Sequence, residues 1–383
     1  MALVLVVSAT TLLGPSTRAS AAGSSPGSSS RTDAPLEASM TATSGTWVDL
    51  PMGDLDQSAN TFWQLLHLAP KGSRWSLVTP PGFADNGGLV VAQAGASLIS
   101  GFLASARIGF SPMAASSDGG QQWSPGILSG PLAVDPDALA GASDGRVLAL
   151  GGKPATVVLS DRGGLSSWQR VVSARHLEAS PAGRACDITA LTAVSFSPDG
   201  QILVGTSCSR PGRVGVFEDS ARGWAPAGPL LPGVVKSATT SVLRLRAFEG
   251  GVSALIATYS GGRTELYGSS LRGRSSWSTP VEVAITGGGQ LKASGISADG
   301  GLVVLVKAAK GPVAECLAGG ARAWLQLPRP PAQVSAISYE EGGRIDAFAV
   351  DHSRLTIYRL AETGSRWLRA QVMQVPIQYG SSS

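Results

Sequence analysis

The sequence predicts an all-β chain: a seven-bladed β-propeller of four-stranded antiparallel blades, with six or eight blades as the alternative count. Three observations predict it. Seven of the nine tryptophans recur at intervals of 43 to 56 residues, each just after a short polar turn. A tight hairpin turn recurs about 23 to 28 residues before six of them. Charged residues make up only 15% of the chain while Gly numbers 49 and Pro 24, a balance that favours strands and turns over long helices.

The tryptophan turns are "KGSRW" (Trp75), "SSDGGQQW" (Trp123), "SDRGGLSSW" (Trp168), "DSARGW" (Trp224), "LRGRSSW" (Trp277), "AGGARAW" (Trp324) and "ETGSRW" (Trp367). A short run with apolar or β-branched residues precedes each, such as "ATVVLSD", "RVGVFED" and "RLTIYRL". The earlier turns are of the Asp-Gly or Gly-Gly type, as in "ASDGRVLAL", "SPDGQILVG", "FEGGVSALIA", "SADGGLVVLV" and "EEGGRIDAFAV". These residues supply the positive φ that tight hairpins need. Each repeat therefore reads as strand a, tight turn, strand b, loop, strand c, polar turn, Trp, strand d. Four antiparallel strands in about 50 residues is the repeat of a propeller.

The ends of the chain read differently. Ala2–Leu13 is an apolar run of signal-peptide length, followed by Ala19-Ser20-Ala21, although no Lys or Arg precedes it. Residues 1–21 are expected to be a signal peptide, 22–45 a disordered Ser/Gly/Pro-rich tether, and 46–380 the propeller. Trp47 in "TWVDLP" resembles another strand d start, so the first repeat looks short of an a–b hairpin. Residues 371–380, "QVMQVPIQYG", are the candidate closing strand. No later segment has transmembrane length. The net charge is only +4 with no basic run, which argues against nucleic-acid binding. The mature chain is expected to be a secreted or envelope-associated monomer with no membrane span.

One turn carries a family resemblance. Ser116-x-Asp118-x-Gly120-x-x-Trp123 resembles the Asp-box, the bacterial neuraminidase repeat, at every defined position. Sialidases, sortilin-type receptors and photosystem assembly propellers carry such boxes. The resemblance extends over residues 47–375 as architecture and is sequence-specific only at the box. It implies a structural role: Asp118 binds the turn's own N–H groups, Gly120 relieves it sterically, and Trp123 packs between neighbouring sheets.

The resemblance also raises sialidase chemistry, which the residues do not support. The Arg-Ile-Pro segment of that family is absent, "ARIGFSP" at 106–112 being the nearest string. Tyr339 and Glu340 are adjacent, so alternation along a strand would point them to opposite faces. Asp187, Glu249, Glu282, Asp346 and Asp351 are acidic near expected loops but form no recognisable pair. "GASDG" around Ser143 matches a nucleophile elbow, yet a strand rather than a helix follows it. His67, His176 and His352 show no metal-ligand spacing. No catalytic residue, metal or cofactor is therefore assigned; a non-catalytic binding module is expected, with a sialidase-like glycoside hydrolase of the Asp-box type or a structural, assembly scaffold as the alternatives.

The candidate binding residues lie in the longest connection, "VSARHLEASPAGRACDIT" (172–189), and in "GTSCSRPGR" (205–213). In a propeller, d–a and b–c connections emerge on the same end. Arg175, His176, Glu178, Arg184, Asp187, Arg210 and Arg213 would then form one polar, basic outcrop for a glycan, an envelope component or a protein. A disulfide is expected to pin it. The turn 198–200 sets hairpin partners whose numbers sum to about 397 or 398. Cys186 and Cys208 sum to 394, within reach of each other through twist or a bulge. Cys316, inside "PVAECLA", is expected to stay a buried free thiol.

Overall fold

The fold was taken from a computed structural model, which describes residues 39–376 apart from 43, 54–60, 82–88, 103–112, 127–135, 153, 163, 166, 232, 234–237, 274–275 and 285–288. The expected signal peptide, most of the expected tether, "ARIGFSP" and residues 377–380 lie outside the described residues.

The hairpin turns set the strand order. The first group is β1 (Ser39–Ala42), β2 (Gly45–Gly53), β3 (Thr61–Leu68) and β4 (Trp75–Leu77). Then follow β5 (Leu89–Ala94), β6 (Ser97–Phe102), β7 (Met113–Ser116) and β8 (Ser124–Gly126), and next β9 (Pro136–Gly141), β10 (Val147–Gly151), β11 (Thr156–Ser160) and β12 (Trp168–Ser173). Two short helices intervene, α1 (Ala174–Ala179) and α2 (Pro181–Cys186). The fourth group is β13 (Ile188–Phe196), β14 (Ile202–Cys208), β15 (Gly215–Ser220) and β16 (Gly223–Pro226); the fifth is β17 (Thr239–Phe248), β18 (Gly251–Ser260), β19 (Arg263–Arg272) and β20 (Val281–Glu282). The last two are β21 (Gln290–Ile296), β22 (Leu302–Ala308), β23 (Gly311–Leu317) and β24 (Leu325–Gln326), then β25 (Val334–Tyr339), β26 (Ile345–Asp351), β27 (Arg354–Leu360) and β28 (Trp367–Gln374).

Within each group consecutive strands pair antiparallel. This is a propeller-type arrangement of four-stranded sheets. Two further pairings join groups: β14 of the fourth with β17 of the fifth at Ser207↔Ser241, and β1 of the first, in parallel, with β21 of the sixth at Ser39↔Gly295.

The core lies between sheets. Second strands are apolar on both faces, as in "VLALG" of β10 and "LVVLV" of β22, because each is covered by the sheets before and after it. One cluster joins Leu50 and Leu66 of the first sheet, Val303 and Leu305 of the sixth, and Ile337 and Phe348 of the seventh. The fourth strands sit at the rim and are largely exposed.

Four of the recurring tryptophans bond their sheet to its predecessor. The Trp123 indole N–H donates to the Val78 carbonyl at 2.8 Å, Trp324 to Val281 at 2.9 Å, and Trp367 to Pro328 at 2.8 Å. Trp277 donates likewise to Ala227. Every acceptor lies three or four residues past the tryptophan of the preceding sheet. Trp168 differs: it packs on Ala94 and Ile99 of the sheet before but donates to Leu165 of its own turn at 2.9 Å. Trp168, Trp224 and Trp277 are half-buried rather than buried, since each indole covers the end of an inter-sheet seam with one edge in solvent. Trp75 is buried and set edge-on to Phe348, with ring centroids 5.0 Å apart.

The first and last sheets meet without a shared strand. Trp47 lies in β2, the second strand, buried and stacked on His67 at 4.7 Å, and is not a strand d start. The hairpin that the sequence seemed to lack is β1–β2, with β1 drawn from residues whose composition reads as tether. Gln371–Gln374 simply finish β28, so residues 371–374 supply no separate closing strand. One main-chain bridge, Gly53 N–H to the His352 carbonyl at 3.2 Å, and a set of side chains make the joint instead. Asp346, fully buried, accepts from the Trp75 indole at 2.9 Å and from Arg359 at 2.9 and 3.0 Å. Arg344 reaches both Asp346 at 3.0 Å and the Gly72 carbonyl at 2.8 Å.

Candidate ligand-binding outcrop

The connection between β12 and β13 is not an irregular loop. Ser173 caps α1, its hydroxyl accepting from the His176 N–H at 3.3 Å. Ser180 ends α1 and begins α2: its Oγ donates to the Leu177 carbonyl at 2.6 Å and accepts from the Gly183 N–H at 2.9 Å. Pro181 occupies the first turn of α2, where its missing N–H costs nothing. Leu177 is buried beneath α1 and anchors it. A Cβ on Gly183 would stand 1.9 Å from the Leu177 carbonyl oxygen, so only glycine lets the two helices close up.

Asp187 turns the chain out of α2 in a left-handed conformation, φ 57°, with its N–H on the Gly183 carbonyl at 2.9 Å. Cys186, just before it, is bridged to Cys208, their Cα atoms 5.1 Å apart. The register explains how. Phe196↔Ile202 sum to 398, Leu191↔Thr206 to 397 and Ile188↔Cys208 to 396, because two bulges in β13 each absorb a residue. The 209–213 turn is laid against this joint: Ser209 N–H donates to the Asp187 carbonyl at 3.0 Å, and Arg210 N–H to the Cys186 carbonyl at 3.2 Å. The Ser209 hydroxyl also donates to the Asp187 carboxylate.

All seven charged residues named from the sequence stand exposed on this outcrop. Arg184, Asp187 and Arg210 flank the disulfide. Arg213 lies further along, in an antiparallel bridge with Leu230. Arg175, His176 and Glu178 occupy α1, and no ion pair or side-chain hydrogen bond ties them to the others among the described residues. Arg184 donates to the Ala179 carbonyl; none of the four arginines has an acidic partner among the described residues.

Leu230 was not legible as part of this surface. It is 73% exposed beside Arg213. In "PLLPG" two adjacent leucines read alike, and only the pairing of 227–230 with 213–216 turns Leu231 inward and Leu230 outward.

Of the other acidic candidates, Glu249, Glu282 and Asp351 are exposed. Asp346 belongs to the inter-sheet joint, and Tyr339 and Glu340 are both buried beside it. Burial, then the Asp346 carboxylate, pushes Glu340 up to about 8 against the pull of Arg344 and Arg359. Ser143 sits in the tight turn between β9 and β10, with a strand following. In the box turn, Ser116 Oγ donates to Asp118 Oδ1 at 2.7 Å, and that oxygen accepts the Gln121 and Gln122 N–H groups, each at 2.9 Å. The Gln122 N–H and the Ser116 hydroxyl hold the Asp118 carboxyl below its usual range. Gly120, φ 95°, lets the turn pass Val78. The same Ser–Asp pairing recurs in the hairpin turns Ser197–Asp199 and Ser297–Asp299. Among the described residues no group of three or more His, Cys, Asp or Glu is placed to hold a metal ion, and no helix is long and apolar enough to cross a membrane.

No family model and no curated protein matches the chain. Solved structures do. A puromycin-hydrolyzing peptidase from Mycobacterium tuberculosis is similar over 89% of this chain and 52% of its own, at 13% identity and a TM-score of 0.53. A putative 6-phosphogluconolactonase from Bacteroides uniformis covers 88% of this chain and 98% of its own, at 11% identity and a TM-score of 0.51. YCF48 from Cyanidioschyzon merolae covers 86% and 96%, at 15% identity and a TM-score of 0.50. At these identities the likeness is one of fold.

Proposed function

We propose that the chain is an exported, seven-bladed propeller of the Asp-box kind that acts as a non-catalytic binding module. Its ligand is a glycan, a cell-envelope component or a protein, held at the outcrop of the fourth sheet. The observation that carries this reading is the contrast between backbone and side chains there. Two capped helices, a disulfide and the 209–213 turn fix the backbone, while Arg175, His176, Glu178, Arg210 and Arg213 present exposed side chains. A rigid frame with unspent polar groups loses little entropy on binding. Seven tryptophan turns and seven four-strand groups support the blade count. The disulfide suits an oxidising compartment, in line with a signal peptide at 1–21 and a tether after it. Asp346, by contrast, is engaged in holding the first and last sheets together.

The test is array binding by the purified monomer, with glycans, envelope extracts and peptides as the three arms. Binding should fall when Arg184 and Arg210 are both changed to Glu, with thermal unfolding unaltered. Undiminished binding by that variant would remove the outcrop from the reading. Hydrolysis of an arrayed glycan would replace the reading with an enzymatic one.

A further inference from the structure

One of the tryptophan turns departs from the rule of the others. Trp75, Trp123, Trp168, Trp277, Trp324 and Trp367 each donate their indole N–H to a carboxylate or a carbonyl. The Trp224 indole donates to no group among the described residues, and its nitrogen is not closed off from water. Its sheet is also the one preceded by α1 and α2. α2 lies against β15 and β16, and Ala182 and Cys186 join Trp224 and Phe217 in one apolar cluster. The indole is thus seated on the disulfide-pinned joint with part of its surface in solvent.

The register sets a carboxylate beside it. Phe217↔Pro226 and Asp219↔Trp224 are cross-strand pairs of β15 and β16. Alternation along β15 puts Asp219 on the Phe217 face, with its Cβ about 4.5–5.5 Å from that of Trp224. Asp219 is half-exposed, and its carboxylate makes no hydrogen bond or ion pair among the described residues.

An apolar ring, a donor on that ring and an acceptor opposite therefore meet at one place. A sugar hydroxyl both donates and accepts, so a pyranose can lay its C–H face on the indole, take the N–H and donate to Asp219. A simple cation would use the ring and Asp219 but leave the N–H unanswered, and Arg222, exposed two residues before the indole, opposes it. An anion would meet Asp219 as a like charge. An apolar side chain would strip water from both polar groups and replace nothing.

We propose that Trp224 and Asp219 form a subsite for an uncharged pyranose unit of a glycan, at the edge of the outcrop. The proposal rests on the binding-module reading and narrows its ligand to a neutral sugar.

The full chain is titrated with oligosaccharides of glucose, N-acetylglucosamine and mannose, beside heparin, choline and acidic and basic peptides. Trp224→Ala should weaken the best neutral oligosaccharide by about tenfold or more, Trp224→Phe, which keeps a ring without the N–H, by less, and Asp219→Ala by severalfold. Asp219→Ala alters only a half-exposed side chain, so it tests the subsite even where Trp224→Ala fails to fold. The bound sugar should also shield Trp224 from N-bromosuccinimide, read by peptide mass mapping. Neutral-sugar binding at full strength in both Trp224→Phe and Asp219→Ala would overturn the subsite; its loss on exchanging Arg184 and Arg210 for Glu would still uphold the binding-module reading. Binding confined to heparin, choline or the peptides would overturn the subsite and leave a module for another ligand. No binding to any probe would count against both.

Discussion

The Gln371 carboxamide stands in for a strand on the edge of Trp75: its Oε1 accepts the Trp75 N–H at 2.9 Å, and its Nε2 donates to the Trp75 carbonyl at 3.0 Å. A single side chain of the last sheet thus completes the main-chain bonding of the first. Together with the Trp75–Asp346 bond it joins residues almost 300 positions apart in sequence.

Gln371→Ala should therefore destabilise the fold by about 1–3 kcal/mol, because a part-buried N–H and C=O lose their partners at once. Equilibrium urea unfolding measures it. Gln371→Glu should recover part of the loss, since it keeps an acceptor for the N–H but offers nothing to the carbonyl. A loss-free Ala variant would show that the joint is held by its other contacts, those of Asp346, Arg344 and the Gly53–His352 bridge.

The tryptophan bonds can be dissected at Trp324. Trp324→Phe keeps an aromatic face and removes only the donor to Val281, at a cost of about 1 kcal/mol. Trp324→Ala should cost more, about 2–4 kcal/mol, because the seam packing goes as well. Indistinguishable values for the two would assign the whole effect to the hydrogen bond.

The buried Glu340 makes the joint sensitive to alkali. Its carboxyl is raised from 4.5 to about 8, so between those values the folded chain keeps a proton that the unfolded chain has lost. Stability is then greatest below the lower value and falls as pH rises through the upper one. Glu340→Gln should flatten that decline and leave the protein more stable than the parent at pH above about 8, by on the order of 1–3 kcal/mol. Parallel stability–pH curves for the two proteins would contradict this.

The cysteines should behave as two classes. Removing the bridge with Cys186→Ser and Cys208→Ser should cost on the order of 3 kcal/mol for a closed loop of this length. Cys316, buried and pushed up to about 11 by burial and by Glu315, should resist alkylation in the native protein and react once unfolded. Mass spectrometry of alkylated, non-reduced digests checks both; rapid native labelling of Cys316 would be inconsistent with its placement.

The repeat was legible because its signals are local. A hairpin needs its Asp-Gly, and a strand following a polar turn needs its Trp, within a few residues of each other. The bond each indole makes was not, since the acceptor is a backbone carbonyl some 40 to 50 residues away with no side-chain identity. The helices were missed although Ser173, Ser180 and Pro181 are cap signals, because six residues are too few to show a helical period. The disulfide was within reach of hairpin arithmetic, and the two bulges in β13 account for the offset. Asp346 looked like a surface carboxylate. Its burial follows from Arg359, its cross-strand partner, and from Trp75 at the far end of the chain. Leu230 could be placed only once the 227–230 segment was seen against 213–216.

The inter-sheet indole bonds all point the same way along the chain. Trp123, Trp277, Trp324 and Trp367 each donate to a carbonyl that is synthesised earlier. A nascent chain folding from its N-terminus thus meets each of these four donors with its acceptor already in place, and those four sheets have a template as soon as their tryptophan emerges. Trp75 is the exception, because Asp346 and Gln371 arrive last. Growth by addition is vectorial; the β1–β21 pairing first ties the start of the stack to its sixth sheet, and the final sheet completes the lock. A chain released early, short of residue 346, would carry the bonds of Trp123, Trp277 and Trp324 and still lack its latch.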